Sequence, residues 1–450
     1  MMQLSEAAAV LGARVSGADT RFDGVSTDTR TLRAGELFVA LRGERFDGHE
    51  FLAKAAATKA AAALVDRNYR GEFALPVAVV EDTRLALGAL ARHWRLRFSP
   101  ALVAVVGSNG KTTVKEMLAS ILRGRAGDQA VLATAGNFNN DIGLPLTLLR
   151  MREAHRWCAI ELGMNHKGEI AYLANITRPT VALVNNAQRE HLEFMNSIEE
   201  VAEENSSVYD ALSADGVAVV NADDGHAPYF RRRAGKRRVV DFGLNAKAAV
   251  SGGYTLKPLT SDMALRTPQG EAAATLVIPG LHNVRNALAA AACAHAVGID
   301  AQTIAAGLNA FRPYTGRLQV KQARGGATLI DDTYNANPDS VRAAIDVLAS
   351  CPQPTVLVLG DMGEIGEHGD AFHREVGAYA RAKGIASLLA LGEATRETVQ
   401  AFGAGARHFD KLEELIPNVS GKSILVKGSR FMKMERVVAA LTGAAVEGGH

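Results

Sequence analysis

At 450 residues the chain is too long for a single small binding module, and at roughly 150 residues per domain it suggests about three domains. Hydrophobic residues make up 48% and charged residues 22%, an ordinary globular usage that excludes disorder or low complexity as the main state. Lys and Arg together number 50 against 48 Asp and Glu, so the formal charge of +2 supplies no whole-chain field for a polyanion, and no nucleic acid partner is expected.

The chain opens on MMQLSEAAAVLG, which has Glu6 and no basic n-region, so it does not read as a secretory signal. Residues 1 to 98 are mixed in character. Two runs of strand type, GELFVAL at 35 to 41 and PVAVVED at 76 to 82, flank an alanine-rich helical stretch from Phe51 to Ala63. A helical segment from Arg84 to Phe98 then leads through Ser99 and Pro100 into a new strand. From there beta runs alternate with helical stretches: ALVAVVG at 101 to 107, WCAIELG at 157 to 163, TVALVNN at 180 to 186 and GVAVVN at 216 to 221. That alternation predicts a parallel sheet with both faces covered. The stretch 245 to 280 has the Gly- and Thr-containing alternation of a small antiparallel insert. A second α/β series follows Arg312 and Pro313, with strands ATLIDD (327 to 332), TVLVLGD (355 to 361), SLLALG (387 to 392) and SILVKG (423 to 428). Helices over Ser340 to Ala349 and Phe372 to Lys383 lie between them. The expected organisation is therefore α/β in three domains, 1–98, 99–313 and 314–450.

The longest apolar stretch, Ala287 to Val297, is interrupted by His295 and is well short of the ~20 residues that span a bilayer. Cys158, Cys293 and Cys351 are far apart and form no CxxC pair, so neither a disulfide framework nor a zinc knuckle is expected. A soluble, cytoplasmic, monomeric protein without membrane insertion is the expectation. The run Arg231-Arg232-Arg233 with Lys236-Arg237-Arg238 has little aromatic interleaving and reads as a solvated loop.

The sharpest local signal is ALVAVVGSNGKTTVKEMLASIL. A buried strand ends at Gly107, the tight loop Ser108-Asn109-Gly110 follows, and Lys111-Thr112-Thr113 open a helix. Such a loop aims several backbone N–H groups and a helix N-terminus at one point, which suits a polyphosphate such as that of ATP. Lys111 is expected on the outer phosphates and Thr112 on a magnesium ion. The spacing GxxGKT is two residues shorter between glycines than the common phosphate loop. No guanine-reading NKxD segment occurs, so a GTPase switch is disfavoured, while an ATP-using ligase or kinase and a motor ATPase remain. Two later strand ends add groups of metal type: Glu161 closes WCAIELG, and His191 follows TVALVNNAQREH. In a doubly wound sheet the carboxyl ends of strands gather along one edge, so Glu161 and His191 are expected beside Lys111. Thr112 and Glu161 supply the oxygen ligands that magnesium prefers, whereas His191 is an unusual partner for it and, taken alone, reads as a capping or surface histidine.

Taken together, GSNGKTT, AIELGMNHKGEI (159 to 170), VNNAQREHLE (184 to 193), PGLHNVRNALAA (279 to 290) and DDTYNANPDS (331 to 340) resemble, in order and spacing, the Mur ligases of peptidoglycan synthesis. The resemblance covers essentially the whole chain. YNANP, NHKGEI and GDMGEIGEHG (360 to 369) are similar to the branch that adds D-alanyl-D-alanine, and the DNPR motif of the diaminopimelate-adding branch is absent. The resemblance implies a UDP-binding N-terminal domain, a central ATPase domain and a C-terminal Rossmann-like domain. It implies an ATP- and magnesium-dependent ligase joining D-alanyl-D-alanine to UDP-N-acetylmuramoyl-tripeptide through an acyl phosphate, with Lys111, Glu161 and His191 as catalytic residues and His191 joining Thr112 and Glu161 on the metal. Thr27, Thr29 and Arg30 then fall in the UDP-sugar stretch, and Asn137, Asn139, Asn140 and Asp141 in the loop facing the phosphate site and the acyl substrate. Asn283 is implied near the adenine, Arg317 and Asp332 near phosphates and ribose, and Asn335, Asn337, Lys427 and Arg430 near the incoming dipeptide. Plainer readings stand beside these: Asn283 and Asn286 as helix N-terminal polar residues, and the 135 to 145 Asn and Asp residues as turn formers. One departure is plain. The family generally carries a lysine, carbamylated to ligate a second magnesium ion, at the position held here by Asn205. Asn205 itself, a water, or the neighbouring Glu203 and Glu204 are the candidates to replace it. HLEFMNS also lacks the glycines that usually follow HLE.

Overall fold

The computed structural model describes residues 1–44, 46–190 and 193–444. Five sheets organise the described residues. Near the N-terminus the strands Gly24–Ser26, Glu36–Val39, Ala62–Asp66 and Val77–Val80 run parallel, and Arg14–Ser16 pairs antiparallel with the last. A two-stranded ribbon, Met2–Gln3 with Arg21–Phe22, closes this part of the fold. The expected helix from Phe51 to Ala63 is shorter than its composition suggested: a 3-10 turn Gly48–Phe51 and a helix Leu52–Ala57 precede a strand at Ala62–Asp66. Alanine favours helix in isolation, but AALVD is buried along its whole length between two parallel neighbours, and tertiary burial overrides the propensity.

The helix Thr83–Arg95 starts where Asp82 accepts from the N–H groups of Arg84 (2.7 Å) and Leu85 (3.0 Å). It leads into the central sheet, six parallel strands in the spatial order Arg238–Phe242, Val217–Asn221, Val181–Val184, Ala101–Val106, Trp157–Glu161, Val131–Ala133. Successive residues of each strand face opposite sides. Val103, Val105 and Leu183 enter a core shared with the helices Lys111–Ala126 and Leu281–Ala296 and continuous with the C-terminal part of the chain. Leu102, Ala104, Val106 and Ile160 enter a second core that reaches the N-terminal sheet. The long apolar stretch of the sequence is the helix Leu281–Ala296, buried on nearly every side, as a helix apolar all round must be. An antiparallel insert of three strands, Ser251–Leu256, Ser261–Thr267 and Gly270–Leu276, occupies the expected place.

The C-terminal sheet has the order Gln319–Gln322, Thr328–Asp332, Ser423–Lys427, Thr355–Gly360, Ser387–Leu391, Ala406–Phe409, parallel except for its first strand. The first half of the basic run is not a loop, while Lys236 and Arg237 lie in the turn before the strand Arg238–Phe242. Arg231–Arg233 lie in the helix Ala227–Ala234, where Arg231 pairs with Asp241 and Arg233 with Asp210 at 2.5 Å each. Among the described residues no helix is long and apolar enough to cross a membrane.

Candidate active site

Strand order reverses on either side of Ala101–Val106, so a crevice opens at that strand's carboxyl end, where the glycine loop sits. Gly107 and Gly110 adopt φ of +138° and +83°, the left-handed region that glycine enters without a Cβ penalty. The Ser108 N–H donates to the Asn186 carbonyl at 3.1 Å, and the Asn109 N–H donates to Asn186 Oδ1 at 2.8 Å. Asn185 Nδ2 holds the Asn109 carbonyl at 2.8 Å and donates to Asn286 Oδ1 at 3.1 Å. The loop is thus fastened from behind, by the end of the neighbouring strand and by a buried helix, and the helix Lys111–Ala126 begins at its mouth. Lys111 Nζ donates to the carbonyls of Gly107 (2.6 Å) and Ser108 (3.1 Å) and to Glu190 Oε1 (2.9 Å).

Glu161, at the end of the adjacent strand, is 2% exposed. Its Oε1 accepts from Thr112 Oγ1 at 3.3 Å and from Asn139 Nδ2 at 2.8 Å, while Oε2 is buried with no hydrogen-bond partner among the described residues. An unsatisfied carboxylate oxygen beside a threonine hydroxyl, at the mouth of a phosphate loop, fits a magnesium ion completed by phosphate oxygens and water. No cluster of three or more His, Cys, Asp or Glu that could hold a metal is present among the described residues. His191, the third expected ligand, lies outside the described residues.

Around this point opens a cavity of about 1310 Å³, larger than the ~300–1,000 Å³ typical of one small ligand. Of the expected residues, Ser108 to Thr113, Asn137, Asn139, Asn140, Asp141, Glu161, Asn283, Arg317, Asp332, Asn335, Asn337, Lys427 and Arg430 line it. Gly107 is not among the lining residues. Thr27, Thr29 and Arg30 are not among the lining residues, and Arg30 folds back on Asp28 at 2.6 Å.

Several lining residues carry structural duties as well. Asn283 donates to the Pro279 carbonyl at 2.7 Å and accepts from Asn286 Nδ2 at 3.0 Å, so the helix-terminal reading describes its side chain. Its second donor contact, to His282 Nε2 at 3.0 Å, makes that nitrogen an acceptor, and burial pushes the imidazole down to about 4. Asn140 Oδ1 accepts from the N–H groups of Ile142 (3.2 Å) and Gly143 (2.8 Å), which is a turn-forming role, and Asp141 takes Arg84 of the N-terminal part at 2.7 Å. Asn337 caps the helix Pro338–Ala349 in a reciprocal capping box and also donates to Asn109 Oδ1 at 2.9 Å.

From the C-terminal sheet, Asp332 and Lys427 stand opposite each other at the ends of two parallel strands, with Lys427 Nζ on Asp332 Oδ2 at 2.6 Å and on the Asn335 carbonyl at 2.8 Å. Burial lowers the Lys427 ammonium, and the Asp332 charge opposes that shift. Arg317 lies 3.9 Å over the ring of Tyr334 and reaches Thr112 Oγ1 at 3.4 Å, and its buried Nε has no partner among the described residues. Arg430 pairs with Glu435 at 3.3 Å.

Around the departure at Asn205, Glu204 is not a solvated carboxylate. It accepts from the N–H groups of Gly168 (2.9 Å) and Ile170 (2.8 Å), capping the helix Glu169–Thr177, so its oxygens are already engaged. Asn205 is 1% exposed and its Nδ2 has no hydrogen-bond partner among the described residues. Sequence reasoning did not single out Asn185, Asn186, Gln188 or Glu190, which hold the glycine loop, and gave Asn286 only a helix-terminal role; the paired asparagines ending TVALVNN were the available signal.

Three family models match successive stretches of the chain: "Mur ligase family, catalytic domain" at residues 21–95, "Mur ligase middle domain" at 105–294 and "Mur ligase, glutamate ligase domain" at 316–430. The UDP-N-acetylmuramoyl-tripeptide--D-alanyl-D-alanine ligase of Escherichia coli (strain K12) is 43% identical over 446 residues, covering 97% of this chain and 98% of that protein. The crystal structure of MurF from Acinetobacter baumannii superposes with a TM-score of 0.91 at 33% identity, covering 98% of both chains. MurF ligase from Thermotoga maritima in complex with ADP gives 0.81 at 25% identity, covering 94% of this chain and 97% of that one.

Proposed function

Because the chain belongs to the Mur ligase family, we propose that it is an ATP-dependent ligase that joins D-alanyl-D-alanine to UDP-N-acetylmuramoyl-tripeptide, forming the pentapeptide precursor of peptidoglycan. The observation that carries the reading is the meeting of a phosphate loop and a buried carboxylate from the central sheet with the Asp332–Lys427 pair from the C-terminal sheet in one cavity. Three substrates of different chemistry are shared, on this reading, among units 1–98, 99–313 and 314–450, and the reaction belongs to the cytoplasm, where ATP is supplied.

A carboxylate is a poor electrophile and its oxygen a poor leaving group, so amide formation needs activation. The terminal carboxylate oxygen of the tripeptide attacks the γ-phosphorus of ATP, and ADP leaves. The amine of D-alanyl-D-alanine then attacks the acyl carbon, loses a proton, and inorganic phosphate departs with the former carboxylate oxygen. Catalysis of such a transfer is chiefly positioning and electrostatic stabilisation. The backbone N–H groups of Gly110 to Thr113, at the start of the helix, cradle the phosphates, those of Ser108 and Asn109 being taken by Asn186, and Lys111 exchanges Glu190 for the outer phosphate oxygens. Arg317, stacked on Tyr334, adds a second fixed positive charge beside Thr112. Magnesium bound by Thr112 and Glu161 supplies charge neutralisation of the phosphates. Asn139 keeps the Glu161 carboxylate turned toward Thr112. Lys427 keeps the Asn335 carbonyl at the acceptor side.

The test is phosphate release from ATP and magnesium with the UDP-linked tripeptide and D-alanyl-D-alanine supplied singly and together. Release that needs both supports the ligase. Release without the dipeptide points to a nucleotidase or another acceptor.

A further inference from the structure

The segment that follows the strand Val181–Val184 fastens two parts of the molecule with consecutive residues. Glu190 takes Lys111 of the phosphate loop. Arg189 turns the other way, to the C-terminal part of the chain. Its Nε lies 3.2 Å from both carboxylate oxygens of Asp339, and its Nη2 lies 2.5 Å from Asp339 Oδ1. Its Nη1 donates to Glu375 Oε2 at 2.7 Å and its Nη2 to Glu375 Oε1 at 3.1 Å, while its backbone N–H donates to Asp339 Oδ2 at 3.1 Å. The guanidinium also lies 5.1 Å over the ring of Phe372.

One planar fork thus grips two carboxylates borne by two helices, Pro338–Ala349 and Gly369–Ala382, a geometry a lysine does not reproduce. The three side chains are 19%, 25% and 32% exposed, so water screens them less than an open surface pair. Arg342 joins Glu375 at 2.8 Å, giving two cations for two anions. Asp339 sits in the first turn of its helix, two residues after Asn337, which reaches Asn109 of the phosphate loop. Arg189 therefore closes a frame whose other side is the nucleotide loop and whose far corner carries Asn335 and Lys427.

We propose that Arg189 is a positioning residue for the amide-forming step: by gripping Asp339 and Glu375 it docks the C-terminal unit, with its acceptor-side groups, onto the phosphate loop. This rests on the ligase reading above. Without Arg189, Glu375 keeps Arg342 while Asp339 loses the guanidinium that grips it, and the acceptor side is no longer held against the activated acyl group. Positioning of that kind acts on the second substrate and on turnover, and leaves nucleotide binding to the central loop intact.

The test compares the parent with Arg189→Met, Arg189→Lys, Glu375→Gln and the double variant Arg189→Met/Glu375→Gln, with melting temperatures taken to confirm folding. Arg189→Met is expected to lower kcat at least about tenfold and to raise KM for D-alanyl-D-alanine, with ADP–magnesium affinity within about twofold of the parent. Arg189→Lys is expected to recover part of the loss. The double variant is expected to match Arg189→Met alone, because once Arg189 is gone Glu375 keeps only its contact with Arg342, within the C-terminal part, and no longer takes part in the docking. Retention of kcat and dipeptide KM by Arg189→Met, or losses that multiply in the double variant, overturns the proposal. Should Arg189→Met not fold, Glu375→Gln answers the same question: a dipeptide KM raised at unchanged ADP affinity supports docking, and unchanged kinetics overturn it. Small-angle scattering with ADP and magnesium needs no turnover: a larger radius of gyration in Arg189→Met supports docking and an identical profile overturns it. A parent enzyme that releases no dipeptide-dependent phosphate would overturn the ligase reading, and scattering would still decide the docking.

Discussion

Replacing Gly110 by alanine attacks the phosphate loop at its tightest point. The residue has φ +83°, where an L side chain costs about 1–2 kcal/mol. A Cβ there would stand 2.3 Å from Asn286 Oδ1 and 2.9 Å from Asn185 Nδ2. Neither can be passed without breaking the Asn185–Asn286 hydrogen bond, and leaving buried amide groups unpaired costs about 1–3 kcal/mol more. The sum is about 2–5 kcal/mol, to be divided between global stability and the geometry of the loop. At about 1.4 kcal/mol per tenfold, even the low end carried by the loop weakens nucleotide binding roughly 30-fold. Gly124, exposed in the same helix with nothing within 4 Å of its added Cβ, is the control, and alanine there is expected to be neutral or to stabilise by up to about 1 kcal/mol. Calorimetric titration with ADP and magnesium, beside thermal melts of both variants, makes the comparison. Gly110→Ala binding ADP within threefold of the parent, at an unchanged melting temperature, would refute the reasoning.

Lys427→Met leaves the Asp332 carboxylate without its buried cation and is expected to cost about 3–5 kcal/mol in urea unfolding, part of it restored by Asp332→Asn in the double variant. The His282 imidazole lies at about 4 in the folded protein, below its unfolded value near 6.5. As pH falls the unfolded chain takes the proton first, so stability present above pH 6.5 is lost between 6.5 and about 4, by up to about 3 kcal/mol, and His282→Gln is expected to flatten that slope. Burial pushes the Cys158 thiol up to about 12 and raises Cys293 and Cys351 as well. The native protein is therefore expected to resist thiol reagents at pH 8 and to label at three cysteines once denatured; rapid native labelling would contradict the packing.

The glycine loop was legible because everything it needs lies within a few consecutive residues: a buried strand, two glycines, Lys111-Thr112 and a helix. Glu161 was legible for a related reason, since parallel strands deliver their carboxyl ends to one edge. What holds the loop in place was not. Asn286 meets Asn185 across 101 positions of sequence, a contact set by the packing of the helix Leu281–Ala296 against the central sheet. The first two residues of the strand Ala62–Asp66 fell inside the stretch read as helix because alanines favour helix, and pairing with two parallel neighbours makes them strand. Glu204 read as a candidate metal ligand beside Asn205 because nothing local shows that the first turn of the helix Glu169–Thr177 lies against it. The arginines of 231 to 233 read as loop because their partners, Asp210 and Asp241, come from other elements.

The claim most worth testing is that the carboxylate is activated by phosphorylation in this cavity before the amide forms. Tripeptide substrate carrying ¹⁸O in its terminal carboxylate, turned over with ATP, magnesium and D-alanyl-D-alanine, is expected to deliver one ¹⁸O into each inorganic phosphate released, read by mass spectrometry. Phosphate free of the label alongside newly formed pentapeptide would contradict the acyl phosphate route.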